Sequence, residues 1–424
     1  MRSRSRRVFR RVFIWTAMLL AIVTLYGCAQ GGKTDAGDMA AHDAVEEAEP
    51  VLTVMSLDAE EASYQNYIHE AEEELGITIE LQVPDHDANN RMALFSTQLS
   101  TGDDSVDVYT LNDEMLCEFK RKGYLAPLPE DLMEEKVLSS YPQEYLREIC
   151  MYEDSLYAVP FYMDIYMLWV NQEDLECAGL TEIRTLEDFN VFLENASTDG
   201  TYGYGGAWEK TYSYNDIFEF INLFGGNCRD WNDENTRRAL VYLHDMVEQQ
   251  YASKEQLIDR YDQTIQKIMD GKISSAFLYS GSIYQASKLD AYSAQKVHVQ
   301  MLPDFGSNRT NVAAWSYAVN NASGNKELAY RFLSYAASDE GTVNYSNAMH
   351  RLPARLDILQ QDLDVPDIEI MQQYAEECSL TLRTFTAVPM EGIEAIGDQF
   401  ASYILNEITL DELCQNATAI LAQE

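Results

Sequence analysis

The sequence predicts an α/β fold in which a parallel sheet carries helices on its faces. Three observations lead there. From Val51 onward, short apolar runs alternate with amphipathic helical stretches in the order β-α-β-α-β. Residues 156–170 form one long aromatic and apolar run with a proline and a single charge, Asp164, the length of a strand that crosses between two lobes. No repeat with a period of roughly 20–50 residues occurs, which excludes solenoids and propellers.

Taken in order, Val51-Leu52-Thr53-Val54 reads as a strand. Residues 64–75 read as a helix, with Tyr64, Tyr67, Ile68, Ala71 and Leu75 at helical spacing and Gly76 as its stop. A strand over 77–83 ends at Pro84, a helix covers 91–99, and a third strand covers 106–111. Residues 186–193 and 238–247 read as helices. In the second, Asn232 or Asp233 serves as N-cap, and Leu240, Leu243 and Val247 form the buried stripe. Strands at 297–302 and 315–319 follow, then a capped helix over 323–336 and two helices within 393–422.

The 424 residues carry 30 basic and 70 acidic side chains, a net charge of −40. That excludes general nucleic-acid binding, which needs basic stripes to displace phosphate counterions. It also excludes electrostatic attraction to anionic lipid. Residues 1–27 hold six arginines and no acid, so their removal takes the charge to −46. The apolar stretch behind those arginines, 12–25, falls short of the about 20 residues of a membrane span and reads as a secretory signal. Leu25-Tyr26-Gly27-Cys28 resembles a bacterial lipobox, which implies a lipid on Cys28 and anchoring to the outer face of the cytoplasmic membrane. Residues 28–50 have little to bury and read as a tether with a reach of roughly 25 Å. Six further cysteines are widely spaced without a C-x-x-C, so they are expected unpaired or with at most one bridge.

Catalytic patterns are missing. There is no G-x-S-x-G elbow, and Gly203-Tyr204-Gly205-Gly206 lacks the spacing and lysine of a phosphate loop. The six histidines are scattered. Residues 85–90 superficially suggest a calcium loop, but Asn90 stands where the turn glycine belongs and Ser96 where the bidentate Glu belongs. Tyr outnumbers Phe by 27 to 15, which suits a wet binding surface. Sugar rings present an apolar C–H face and a hydroxyl edge, so a site for them wants flat rings beside carboxylates, amides or arginines. Segments 157–169, around Asp164, and 208–214, around Glu209 and Lys210, have that mixture. Core packing is the alternative role for these rings.

Several motifs, in order, carry a resemblance. They are Val106-Asp107-Val108-Tyr109 through Gly123-Tyr124-Leu125-Ala126-Pro127-Leu128, and Leu156-Tyr157-Ala158-Val159-Pro160-Phe161-Tyr162-Met163-Asp164 with Ala178-Gly179-Leu180. Val319-Asn320-Asn321-Ala322-Ser323 with Asn325-Lys326-Glu327-Leu328-Ala329, and the turn at 349–353, complete the set. Together they resemble the extracellular solute-binding proteins of ABC importers, in the maltose- and trehalose-binding branch.

The resemblance implies a two-lobed periplasmic-binding-protein-like fold with a hinge of crossing segments near 161–164, 313–316 and Pro353. Lobe one is then 51–162 and 316–353, and lobe two 163–315 and 354–424. It further implies a non-enzymatic monomeric receptor without cofactor or metal. Its partners are a sugar, permease subunits with their ATPase, and the membrane through the lipid. Ligand-binding positions carried over are Glu61, Arg91, Asn112, Tyr162, Asp164, Tyr279, Trp315 and Arg383, with Trp208 as a further candidate. Tyr279 or Tyr284 replaces a tryptophan of the family, and Ala313-Ala314 replaces a glycine pair. Alternatives are the same fold binding a polyamine, a peptide or an anionic metabolite, a surface adhesin or sensory domain, and a secreted glycosidase with paired carboxylates.

Overall fold

A computed structural model describes residues 50–198, 200–383 and 390–422. The expected signal segment, Cys28 and the tether up to residue 49 lie outside the described residues. The first run forms β1 (Val51–Met55), α1 (Ala62–Leu75), β2 (Thr78–Gln82), α2 (Ala88–Thr101), β3 (Val108–Asn112) and α3 (Asp113–Arg121). Gly76 closes α1 at φ 62°, a conformation glycine adopts without cost. Asp87 caps α2 through the N–H groups of Asn89 and Asn90. The chain continues through α4 (Glu135–Ser139), α5 (Gln143–Tyr145), a small hairpin of β4 (Met151–Tyr152) and β5 (Ser155–Leu156), and the long β6 (Ala158–Asn171).

Next come α6 (Gln172–Cys177), α7 (Leu186–Ala196), α8 (Tyr214–Leu223), α9 (Glu234–Glu248), α10 (Tyr261–Met269), β7 (Ser275–Tyr279), α11 (Ser282–Lys288) and β8 (Val297–Gln300). The second long strand, β9 (Arg309–Val319), leads to α12 (Lys326–Ala337), α13 (Asp339–Met349), α14 (Leu356–Leu359) and α15 (Ile368–Glu377). The chain closes with β10 (Ser379–Leu382), α16 (Met390–Ile404) and α17 (Leu410–Leu421). Asp233 is the N-cap of α9, as its spacing implies. Among the described residues Cys117, Cys150, Cys177, Cys378 and Cys414 form no disulfide.

The sheet is mixed rather than parallel throughout. Its order is β2-β1-β3-β9-β6-β7, with β10 on β9 and β8 on β6. Strands β1, β2 and β3 are parallel, but β9 runs antiparallel to both β3 and β6. Beyond Ile165 the β6–β9 pair splits, and β6 takes β7 and β8 as neighbours while β9 takes β10. Lobe one is built at one end of this pair and lobe two at the other. A register shift between Pro160 and Tyr162 bends β6 where proline has no N–H to give the ladder. A third segment joins there, with Met163 N–H donating to the Leu352 carbonyl at 3.0 Å.

Residues 355–359 correct the expected lobe boundary. Leu356 N–H donates to the Ser140 carbonyl, and Arg355 pairs with Asp339 and donates to the Ala337 carbonyl, all in lobe one. The chain reaches lobe two with α15, where the Tyr374 hydroxyl donates to the Gln300 carbonyl at 2.7 Å.

One apolar core runs unbroken from lobe one beneath the crossing strands to one face of the lobe-two sheet. A second core, with Phe189, Phe220, Trp231, Leu240 and Phe400, fills the other face of lobe two under α7, α8, α9 and α16. Two carboxylates of α8 lie inside it. Asp216 accepts from the Tyr166 and Tyr204 hydroxyls and the Trp208 indole, yet burial still pushes its acid up to about 6. Glu219 accepts from the Asn311 N–H through Oε2, its Oε1 has no hydrogen-bond partner among the described residues, and burial pushes it up to about 8 against the pull of Asn311 and Thr310.

The native state therefore holds a proton on Glu219 that the unfolded chain releases. Glu219 thus makes stability fall as pH rises from about 4.5 to about 8, by about 1.4 kcal/mol per unit at most. Glu219→Gln should flatten that decline in urea unfolding curves measured across the same range. An unchanged slope would contradict a proton held at Glu219.

Candidate functional site

The cleft between the lobes encloses about 650 Å³. Its lobe-one wall is set by strand register. Asn112 on β3 lies opposite Trp315 on β9, and Trp315 lies opposite Tyr162 on β6, so the three side chains share a row. The Trp315 and Tyr162 rings lie nearly parallel, 13° apart, with centroids 6.4 Å apart. The guanidinium of Arg351 sits 4.7 Å from the Tyr162 centroid and is held there by Asp58 at 2.7 and 3.0 Å. Arg351 thus lies over the Tyr162 ring, and Trp315 is the more exposed ring of this aromatic floor. Asn112 also caps α3 through the Met115 N–H, so its carbonyl is committed while its amide is left for other partners.

Two residues along the same face of β6 comes Asp164. Its Oδ1 accepts from the Gly281 N–H at 2.7 Å and from the Ser280 hydroxyl at 3.1 Å. Residue 281 must be glycine for this approach, because an added Cβ would stand 2.8 Å from that oxygen. Burial raises the Asp164 acid above its ordinary range, and Arg351 pulls the other way without cancelling it.

Lobe two contributes Tyr212, Tyr214, Tyr261 and Tyr279 to the opposite wall. Tyr279 donates to Asn215 at 2.8 Å, which fixes its ring. An ionic cluster joins the two sides. Arg383 pairs with Asp113 at 2.9 Å and Glu114 at 3.0 Å, both on α3, and donates to the Tyr214 hydroxyl at 2.6 Å. Tyr214 in turn donates to Glu114 at 2.7 Å, and Tyr145 donates to Asp113. Burial alone would lower the basicity of Arg383, but Glu114, Tyr214 and their neighbours hold it well above its ordinary value. At the mouth, Arg260 of lobe two meets Asp87 of lobe one at 2.6 Å.

Seven of the positions carried over from the family line this one cleft: Arg91, Asn112, Tyr162, Asp164, Tyr279, Trp315 and Arg383. Two do not. Trp208 is fully buried in the lobe-two core, edge-on to Phe400, with its indole on Asp216, so it is packing rather than platform. Glu61 is the exposed residue preceding α1 and lies outside the cleft lining. The turn after β1 directs Asp58 inward to Arg351 instead. Tyr284 stacks on His350 at 4.1 Å and is not among the lining residues, which leaves Tyr279 as the replacement ring.

Sequence reasoning missed Glu114, Arg260 and Arg351. Glu114 was hidden as the residue two past Asn112, Arg260 sits in a polar stretch without a pattern of its own, and Arg351 falls inside the turn at 349–353, which gives no sign of its distant partner. Tyr212 and Tyr214 fall in the aromatic segment around Lys210, whose lysine turns away to Glu394. Among the described residues, no group of three or more His, Cys, Asp or Glu is placed to hold a metal ion.

Residues 56–343 match the family model of the bacterial extracellular solute-binding proteins. Among solved structures the chain is similar to maltose-bound MalE3 of T. maritima, at 16% identity and TM-score 0.75, over 88% of this chain and 99% of that one. It is similar to the GacH receptor of Streptomyces glaucescens, solved unliganded and with acarbose, at 19% identity and TM-score 0.75, covering 89% and 98%. It is also similar to Lmo0181 of Listeria monocytogenes in complex with cycloalternan, at 18% identity and TM-score 0.73, covering 88% and 98%. At these identities the likeness establishes the fold.

Arg383→Met would leave Asp113 and Glu114 buried side by side without their cation. The expected cost is about 3–5 kcal/mol in chemical denaturation. A loss within about 0.5 kcal/mol, the range of ordinary surface substitutions, would show that the cluster does not join the lobes as described.

Proposed function

The chain belongs to the bacterial extracellular solute-binding protein family, and we propose that it is the lipid-anchored carbohydrate receptor of an ABC importer. The observation that carries this reading is the Trp315–Tyr162 floor set beside Asp164 in the cleft between the lobes. A pyranose ring lays its C–H face on such a floor, and its hydroxyls reach Asp164, Asn112 and the arginines at the edge. The volume of about 650 Å³ admits a di- or oligosaccharide. The similar proteins named above were solved with maltose, acarbose and cycloalternan, which supports the same ligand class here. Arg91, which lines the cleft without an ion-pair partner among the described residues, weighs against a polyamine.

The mechanism is capture by hinge closure. The open lobes admit the sugar, and closure about the crossing strands buries it. The sugar shifts the equilibrium only by its stronger binding to the closed form. The closed receptor then presents its ligand to the permease, whose ATPase drives import. No bond in the sugar is broken. The lipid on Cys28 rests on the Leu25-Tyr26-Gly27-Cys28 pattern, and two or more acyl chains there would hold the receptor stably at the membrane.

Tryptophan fluorescence should show a saturable change with at least one of maltose, trehalose, maltotriose, cellobiose, xylobiose and raffinose. Asp164→Asn and Trp315→Ala should each weaken that binding by about tenfold to a hundredfold. A response to spermidine or a peptide mixture, with none to any sugar, would overturn the carbohydrate assignment.

Acidification should also weaken sugar binding. The ionised Asp164 is the stronger acceptor, and its raised acid takes up a proton above the ordinary 3.8. Asp164→Asn should remove that part of the pH profile. An identical profile in the variant would contradict a hydroxyl contact to Asp164.

A further inference from the structure

Three of the four arginines that line the cleft have carboxylate partners. Arg351 is held by Asp58, Arg383 by Asp113 and Glu114, and Arg260 by Asp87. Arg91 is different. Its residue is only 5% exposed, and among the described residues it makes no ion pair. One of its terminal nitrogens donates to the backbone carbonyls of Asp85 and His86, at 3.1 and 3.0 Å. Its Nε is buried and unpartnered.

The nearby acids are already committed. Asp87 accepts from the Asn89 and Asn90 N–H groups and from Arg260. Asp85 accepts from the Asp87 N–H and the Asn90 amide. Burial depresses the basicity of Arg91, and the nearby Tyr212, Asp87 and Asp85 offset that only in part. A buried cation in that position costs stability unless something neutralises it.

The guanidinium lies over the Trp315 ring, 5.8 Å from its centroid, within reach of a sugar carried by that floor. A neutral sugar would supply acceptors there but no charge. Resting on the carbohydrate reading above, we infer that the ligand is an acidic sugar, with a uronic-acid ring over Trp315 and its carboxylate on Arg91. One unpaired cation matches the single charge of a carboxylate, whereas a phosphate monoester near neutrality brings more charge than Arg91 alone can balance. The planar guanidinium also suits the planar carboxylate.

The test compares matched ligands by calorimetry on the wild-type protein: cellobiose with cellobiouronate, galactobiose with digalacturonate, and trehalose with trehalose phosphate. At least one uronate should bind about tenfold to a hundredfold more tightly than its neutral partner. Arg91→Gln should erase that difference, and Arg91→Lys should retain part of it by keeping the charge. The wild-type comparison stands alone should Arg91→Gln fail to fold. Neutral members binding as tightly as their uronates would overturn the acidic-sugar inference and leave the carbohydrate receptor intact. A preference for the phosphate would overturn the carboxylate assignment alone. No binding by any of the six would overturn the acidic-sugar inference, and the carbohydrate reading would then stand or fall on the fluorescence titration.

Discussion

Strands β6 and β9 stay hydrogen-bonded from Ala158 and Ala318 in one lobe to Ile165 and Val312 at the edge of the other, and the whole cleft is referenced to that pairing. Because side chains alternate along a strand, one fixed register decides which residues face the cleft. It places Tyr162 and Asp164 on one face of β6 and aligns Tyr162 with Trp315. A slip by one residue would turn the floor into core and expose the apolar residues between. The bulge at Pro160 and the third segment at Leu352 fix that register from two sides.

Charge completes what the strands begin. Outside the cleft the chain is strongly acidic, but within it arginines and carboxylates are matched nearly one for one. Arg383 spans α3 of lobe one and Tyr214 of lobe two, and Arg260 reaches Asp87 across the mouth. Ion pairs removed from water strengthen, yet each charge must be answered or its desolvation is lost. The cleft therefore holds its lobes together through these pairs, and it leaves Arg91 for the ligand to answer.

The first strands and helices could be read from the sequence because their apolar periodicity is local. Tyr64, Tyr67, Ile68 and Ala71 mark the buried face of α1 before any partner is known, and they are its buried residues. The direction of β9 was not legible, because antiparallel pairing with β3 and β6 joins segments some 150 to 200 residues apart, which no local pattern encodes. The site divides the same way. Asp164 stood out as the single charge in an apolar run, and Trp315 followed from a motif. Trp208 and Glu61 failed because a motif's neighbourhood does not say which way a side chain turns. Trp208 turns to Asp216, and Asp58 takes the inward position instead of Glu61. Arg351 stayed invisible because its role depends on Asp58, nearly three hundred residues away in sequence.

The most direct test of the account is a crystal structure of residues 50–424 grown with whichever sugar saturates the fluorescence response. A pyranose ring should lie over Trp315 and Tyr162, with a hydroxyl on Asp164 and the lobes closed over it. Density for the sugar on the outer surface of either lobe, or in the cleft but away from that floor, would contradict it.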